Sequence, residues 1–181
     1  MEEKAISILV STDPVPARVT LVLGGARSGK SAFAESLLPT EAEVVYIATA
    51  EARDDEMGSR IAIHQKRRGS SWKTVEAPLN LVNALSALEE TPALLDCLTL
   101  WLSNLMEADR DIDQEFKHLT VCLNEIPGPV VIVSNEVGQG IVPDNTLARR
   151  FRDQAGQLNQ AVAAVADQVY FVTANIPTQL K

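Results

Sequence analysis

The sequence predicts an α/β fold: a mainly parallel sheet with helices on both faces. Two observations carry this. Short apolar runs rich in β-branched residues alternate with longer segments of helical period, the pattern of repeated βα units. The first regular apolar run also leads directly into a glycine-rich turn and then a helix. A chain of 181 residues fits one domain on the usual scale of ~100–200 residues.

The elements follow in order. Val19-Thr20-Leu21-Val22-Leu23 reads as a buried strand, and a helix is expected from about Lys30 to Leu38, stopping before Pro39. Val44 to Thr49 is a second strand. A helix is expected from Asp54 to about Arg68, with Asp54, Asp55 and Glu56 in its first turn and Lys66, Arg67 and Arg68 in its last, as the helix dipole favours. Leu79 to Leu88 is another helix, and Ala93 to Cys97 a third strand. Helices are expected over Leu98 to Met106 and Gln114 to Glu125, a fourth strand over Val130 to Ser134, and a long helix from about Asn145 to Ala166. Val169 to Thr173 reads as the last strand. Residues 1–17 are expected to form an N-terminal extension, with an apolar run from Ile6 to Val10, and residues 18–181 a single domain. Sheets of this kind bind ligands beyond the carboxyl ends of their strands.

Composition narrows the partners. Hydrophobic residues make up 46% and charged residues 22%, and the formal net charge is −8. An acidic chain is poorly suited to nonspecific nucleic-acid binding, which draws on surplus Lys and Arg. No apolar run approaches the ~18 residues of a membrane span, and Met1-Glu2-Glu3-Lys4 is acidic where a secretory signal would be basic; a cytoplasmic location is expected. Cys97 and Cys122 both lie in apolar runs and read as buried free thiols.

Gly24-Gly25-Ala26-Arg27-Ser28-Gly29-Lys30-Ser31 matches G-x-x-x-x-G-K-[S/T], with a strand before it and a helix after it. Glycines let the backbone curl so that its N–H groups face phosphate oxygens, and the helix start adds its positive end. Lys30 is placed to reach the β and γ phosphates of a nucleoside triphosphate, and Ser31 to hold Mg²⁺. Asp96, at the end of another buried strand, is either the magnesium-side carboxylate or a capping Asp before Thr99. His118 lies in a polar helical stretch and reads as a surface residue. Arg60, His64 and Arg68 are spaced i, i+4, i+8 and share a helix face, with Arg67 close by. Spacing alone leaves His64 with two readings: a histidine packed near Met57 and Ile61, or a nucleophile whose arginines neutralise phosphoryl charge.

These residues together resemble the bifunctional adenosylcobinamide kinase / adenosylcobinamide-phosphate guanylyltransferase family. The phosphate loop with Arg27, Tyr46-Ile47-Ala48-Thr49-Ala50, Asp55-Glu56-Met57 with Arg60-Ile61 and His64, and Trp72-Lys73-Thr74-Val75-Glu76 are similar to family motifs. So is Asn135-Glu136-Val137-Gly138-Gln139-Gly140-Ile141-Val142-Pro143, continuing through Leu147-Ala148-Arg149 and Phe151-Arg152-Asp153. The resemblance runs from about Val19 to Lys181. It implies a P-loop NTPase (RecA-like) fold, ATP and GTP as substrates with Mg²⁺, phosphorylation of adenosylcobinamide, and guanylyl transfer through a histidine matching His64. It further implies nucleotide contacts at the phosphate loop, Ala48, Thr49, Ala50, Gln65, Lys66, Arg67, Arg68, Glu76 and Asp96, and a homotrimer. The segment before Arg18 has no counterpart in the family pattern, and Asp96 stands where some members carry Glu. Two rivals are a kinase-only enzyme for a small alcohol and a regulatory nucleotide-binding protein.

Overall fold

A computed structural model describes residues 17–40, 42–50 and 71–181. The expected helix over residues 54–68 and the apolar run over residues 6–10 lie outside them. Within the described residues the strands are β1 (Val19–Gly24), β2 (Val44–Ala48), β3 (Trp72–Glu76), β4 (Ala93–Asp96), β5 (Val130–Asn135), β6 (Gln168–Thr173) and β7 (Ile176–Gln179). The helices are α1 (Lys30–Ser36), α2 (Leu81–Ser86), α3 (Leu98–Glu107), α4 (Ile112–Glu125) and α5 (Thr146–Val165).

The strands form one sheet in the order β3-β2-β4-β5-β1-β6-β7. Every neighbouring pair is parallel except β6 with β7. Strand residues alternate between two buried clusters, as the period of two requires. Val19, Leu21, Val45, Ile47, Leu95, Val130 and Ile132 join the larger cluster, with Leu102, Leu105, Phe116, Leu119 and Leu158 from the helices. Val22, Val44, Tyr46, Leu94, Val131 and Val133 face the other way, toward Ala34 and Leu38. A sheet buried on both faces explains why the central strands read as unbroken apolar runs.

The structure differs from the sequence expectations in several places. Val169 to Thr173 is not the last strand: β7 follows it antiparallel, through a turn in which Ala174 (φ 51°) and Asn175 (φ 65°) are both left-handed. β3, for which no strand was expected, lies at the opposite edge of the sheet. β2 stops at Ala48 and β4 at Asp96, one residue short of expectation. Thr49 and Cys97 leave the strands to bond each other: Thr49 Oγ1 donates to the Cys97 carbonyl and accepts from its N–H, both at 2.8 Å. α2 is shorter than expected, and α4 begins two residues early because Asp111 accepts a bond from the Gln114 N–H. Asn145 caps α5 through a bond from the Ala148 N–H at 2.7 Å. Cys97 is buried, but Cys122 is only partly so. His118 is exposed, as expected. Among the described residues, no helix is long and apolar enough to cross a membrane.

Candidate functional site

Because β1 to β6 run parallel, their carboxyl ends share one edge of the sheet. Register aligns Gly24 with Asn135 and Val172, and Ala48 with both Asp96 and Glu76. The phosphate loop, the Ala48–Ala50 exit, Glu76, Asp96 and Asn135 therefore collect at that edge.

The loop is shaped by contacts that admit no side chain at two of its glycines. A Cβ on Gly24 would stand 2.6 Å from both Ser28 Oγ and the Val172 carbonyl oxygen. Gly29 has φ +95°, and a Cβ there would overlap Asn175 Oδ1. Arg27 holds φ 57° at the loop crest with its side chain exposed. The loop closes by a bond from the Ser28 N–H to the Gly25 carbonyl at 3.3 Å. It is braced from outside by the Asn175 N–H on the Ser28 carbonyl (2.7 Å) and the Glu136 N–H on the Gly24 carbonyl (3.1 Å). Ser28 Oγ is buried with no hydrogen-bond partner among the described residues.

Lys30 opens α1 and is itself buried, its ammonium donating to the Gly25 carbonyl across the loop at 3.0 Å. Ser31 follows in the same turn and is partly exposed. Asp96 is half-buried at the end of β4, where Tyr46 Oη donates to its Oδ2 at 3.0 Å. Burial first, and then the Asp96 charge, push the neighbouring Cys97 thiol up to about 11, with Lys30 among the groups pulling the other way. The Lys30 and Asp96 charges thus bear on the same point. A hydroxyl and a carboxylate are the hard oxygen donors Mg²⁺ takes from protein when phosphates supply the rest, so Ser31 and Asp96 fit that role chemically.

Behind this edge, α3 presents polar side chains inward. Asn104, 7% exposed, gives its amide group to the Thr49 carbonyl at 2.8 Å and the Pro78 carbonyl at 2.9 Å. Asn135 donates to Thr99 Oγ1 at 2.6 Å. Ser134 donates to Asn159 Oδ1 at 2.6 Å, and Asn159 Nδ2 to the Asn135 carbonyl at 3.2 Å. Motif reading passed over Asn104, although an amide within Leu98-Thr99-Leu100-Trp101-Leu102-Ser103-Asn104-Leu105 is a buried-polar signal. His64, Gln65, Lys66, Arg67 and Arg68 lie outside the described residues.

A parallel sheet with a strand–loop–helix phosphate cradle at its carboxyl edge defines a P-loop NTPase. Solved structures share the fold at low identity. A KaiC-like protein from Pyrococcus horikoshii matches with TM-score 0.51 and 15% identity over 86% of this chain and 71% of that one. An ATPase from the type III secretion system of pathogenic bacteria matches with TM-score 0.53 and 11% identity over 89% and 54%. The particular family is fixed by closer comparison. The model for "Cobinamide kinase / cobinamide phosphate guanyltransferase" matches residues 20–180, and this chain belongs to that family of enzymes. A bifunctional adenosylcobalamin biosynthesis protein, CobP, of Pseudomonas aeruginosa is 49% identical over 166 residues, 89% of this chain and 96% of that protein. The bifunctional protein CobU of Salmonella typhimurium is 42% identical over 178 residues, 89% and 98%.

Proposed function

We propose that this chain catalyses two successive steps of cobalamin biosynthesis around one phosphate loop. In the first, the side-chain hydroxyl of adenosylcobinamide takes the γ-phosphoryl group of ATP or GTP. In the second, a nitrogen of His64 attacks the α-phosphorus of GTP; a P–N bond forms and the bond to pyrophosphate breaks. A phosphate oxygen of adenosylcobinamide phosphate then attacks the same phosphorus, the P–N bond breaks, and adenosylcobinamide-GDP leaves. The observation that carries this reading is the family match over residues 20–180, on a chain whose loop, Lys30 and Asp96 share one strand edge.

The kinase step draws on positioning and charge neutralisation more than on a strong base. The loop N–H groups, Lys30 and Arg27 serve that end. Ser31 and Asp96 would hold Mg²⁺, which supplies charge neutralisation on the phosphates when bound. Ala48, Thr49, Ala50, Gln65, Lys66, Arg67, Arg68 and Glu76 are assigned to the guanine nucleotide. The loop after β5 exposes Ile141 (98%) and Val142 (63%) at the same edge, apolar surface suited to a broad corrinoid. The partners are small molecules rather than nucleic acid, the working assembly is a homotrimer, and the enzyme acts in the cytoplasm.

Incubation with α-labelled GTP, followed by denaturing gel separation, tests the histidine route. The unaltered protein is expected to retain label, and His64→Ala to lose it while phosphorylation of adenosylcobinamide stays measurable. Label that persists in His64→Ala would remove the assignment.

A further inference from the structure

We infer that Asn104 is a positioning residue for the guanylyl-transfer reaction, acting through the exits of β2 and β3 rather than by touching substrate. It rests on the reading above, in which Ala48–Ala50 and Glu76 receive the guanine nucleotide. A planar amide has two hydrogens to donate, and the Asn104 amide nitrogen bonds two carbonyls, of Thr49 and of Pro78. Thr49 directly follows Ala48, and Pro78 stands two beyond Glu76. One side chain on α3 therefore ties together the two exits assigned to the nucleotide.

The rest of the local network holds the same two exits by other bonds. Thr49 is already fixed to β4 by its paired bonds with Cys97 and by its N–H on the Asp96 carbonyl at 3.2 Å. The Ala77 N–H bonds the Ala48 carbonyl at 2.8 Å. Trp101, one turn before Asn104, donates its indole N–H to the Leu79 carbonyl at 3.1 Å. Backbone and indole bonds hold the two exits in approximate place; the Asn104 amide sets where the Thr49 and Pro78 carbonyls point. Without it, the buried Thr49 carbonyl and the partly buried Pro78 carbonyl would lose this donor, at a cost that favours their turning away.

The phosphate loop depends on none of these bonds. Its braces come from Asn175 and Glu136, on the β1 side of the sheet. Loss of the Asn104 amide should accordingly damage guanylyl transfer much more than phosphoryl transfer. A residue that merely supported the fold would lower both in proportion to the folded fraction.

The experiment compares Asn104→Leu, which keeps the volume without donors, and Asn104→Ser, a milder loss, with the unaltered protein. Phosphorylation of adenosylcobinamide and pyrophosphate release from GTP with adenosylcobinamide phosphate are measured separately, each normalised to folded protein. The expected result is a tenfold or greater fall in guanylyl transfer for Asn104→Leu, with phosphorylation within about threefold, and an intermediate effect for Asn104→Ser. Equal proportional losses in the two reactions, or no loss in either, would overturn the inference. Both assays work whether or not His64 carries the nucleotide, so failure of the histidine route, read from the labelled adduct, is a separate result.

Discussion

Cys97 shows how one residue records the electrostatics of the whole edge. Its thiol is pushed from 9.0 up to about 11, by burial first and by the Asp96 charge second. The group is neutral when protonated, so the folded state holds the proton more tightly than the unfolded state does. Stability from this source is complete below pH 9 and is lost as pH rises through 9 toward 11. By pH 10 the loss amounts to about 1 kcal/mol. Urea unfolding of the protein and of Cys97→Ala, compared between pH 7.5 and pH 10, should show the unaltered protein losing that much relative to the variant. A difference independent of pH would contradict it. At this scale the sequence was legible wherever residue type alone decides: Gly24, Gly29 and Lys30 lie in the strand–loop–helix turn that motif spacing indicated, and Asp96 ends a buried strand, as the apolar run before it indicated. Asn104 and Asn175 were not legible, because their importance lies in which distant carbonyls and glycines they meet.

The β6–β7 hairpin is the element whose role emerges only from its contacts. Its turn puts Ala174 and Asn175 in left-handed conformations, which Asn tolerates and β-branched residues do not. Because the Asn175 N–H bonds Ser28 and its side chain fills the space beside Gly29, turn geometry is transmitted to the phosphate loop. Asn175→Val is expected to weaken GTP binding on the order of tenfold, from roughly 1–2 kcal/mol of misplaced backbone, whereas Asn175→Gly should bind within about twofold. Titration calorimetry separates the two; equal affinity for Asn175→Val and the unaltered protein would show that the hairpin does not brace the loop. β7 escaped the sequence reading because all four of its residues are exposed and one is Pro177, a residue at home on an edge strand. β3 escaped for the same physical reason, an edge position with Lys73, Thr74 and Glu76 exposed. The buried strands, by contrast, announced themselves as apolar runs and were placed to within a residue or two.

At the scale of the whole molecule, strand order decides what meets what. The order β3-β2-β4-β5-β1-β6-β7 brings Glu76, Ala48, Asp96, Asn135 and Gly24 into sequence along one edge. Alternation of apolar runs with helical segments forecast that such an edge exists, and parallel βα units forecast that ligands gather there. Which exit lies beside which is a matter of nonlocal register, and no local pattern encodes it. The same order sets the phosphate loop between the β6–β7 hairpin on one side and the β5 exit, with Asp96 beyond it, on the other, a setting in keeping with the proposed use of one loop for both transfers.

Lys30→Ala tests that shared use most directly. With folding verified by thermal unfolding, the variant's rates of adenosylcobinamide phosphorylation and of guanylyl transfer are each measured against the unaltered protein. If one loop serves both reactions, each rate should fall by roughly 10²–10³, the scale of losing a preorganised charge at a phosphoryl group. Normal turnover in either reaction would contradict a single shared phosphate site.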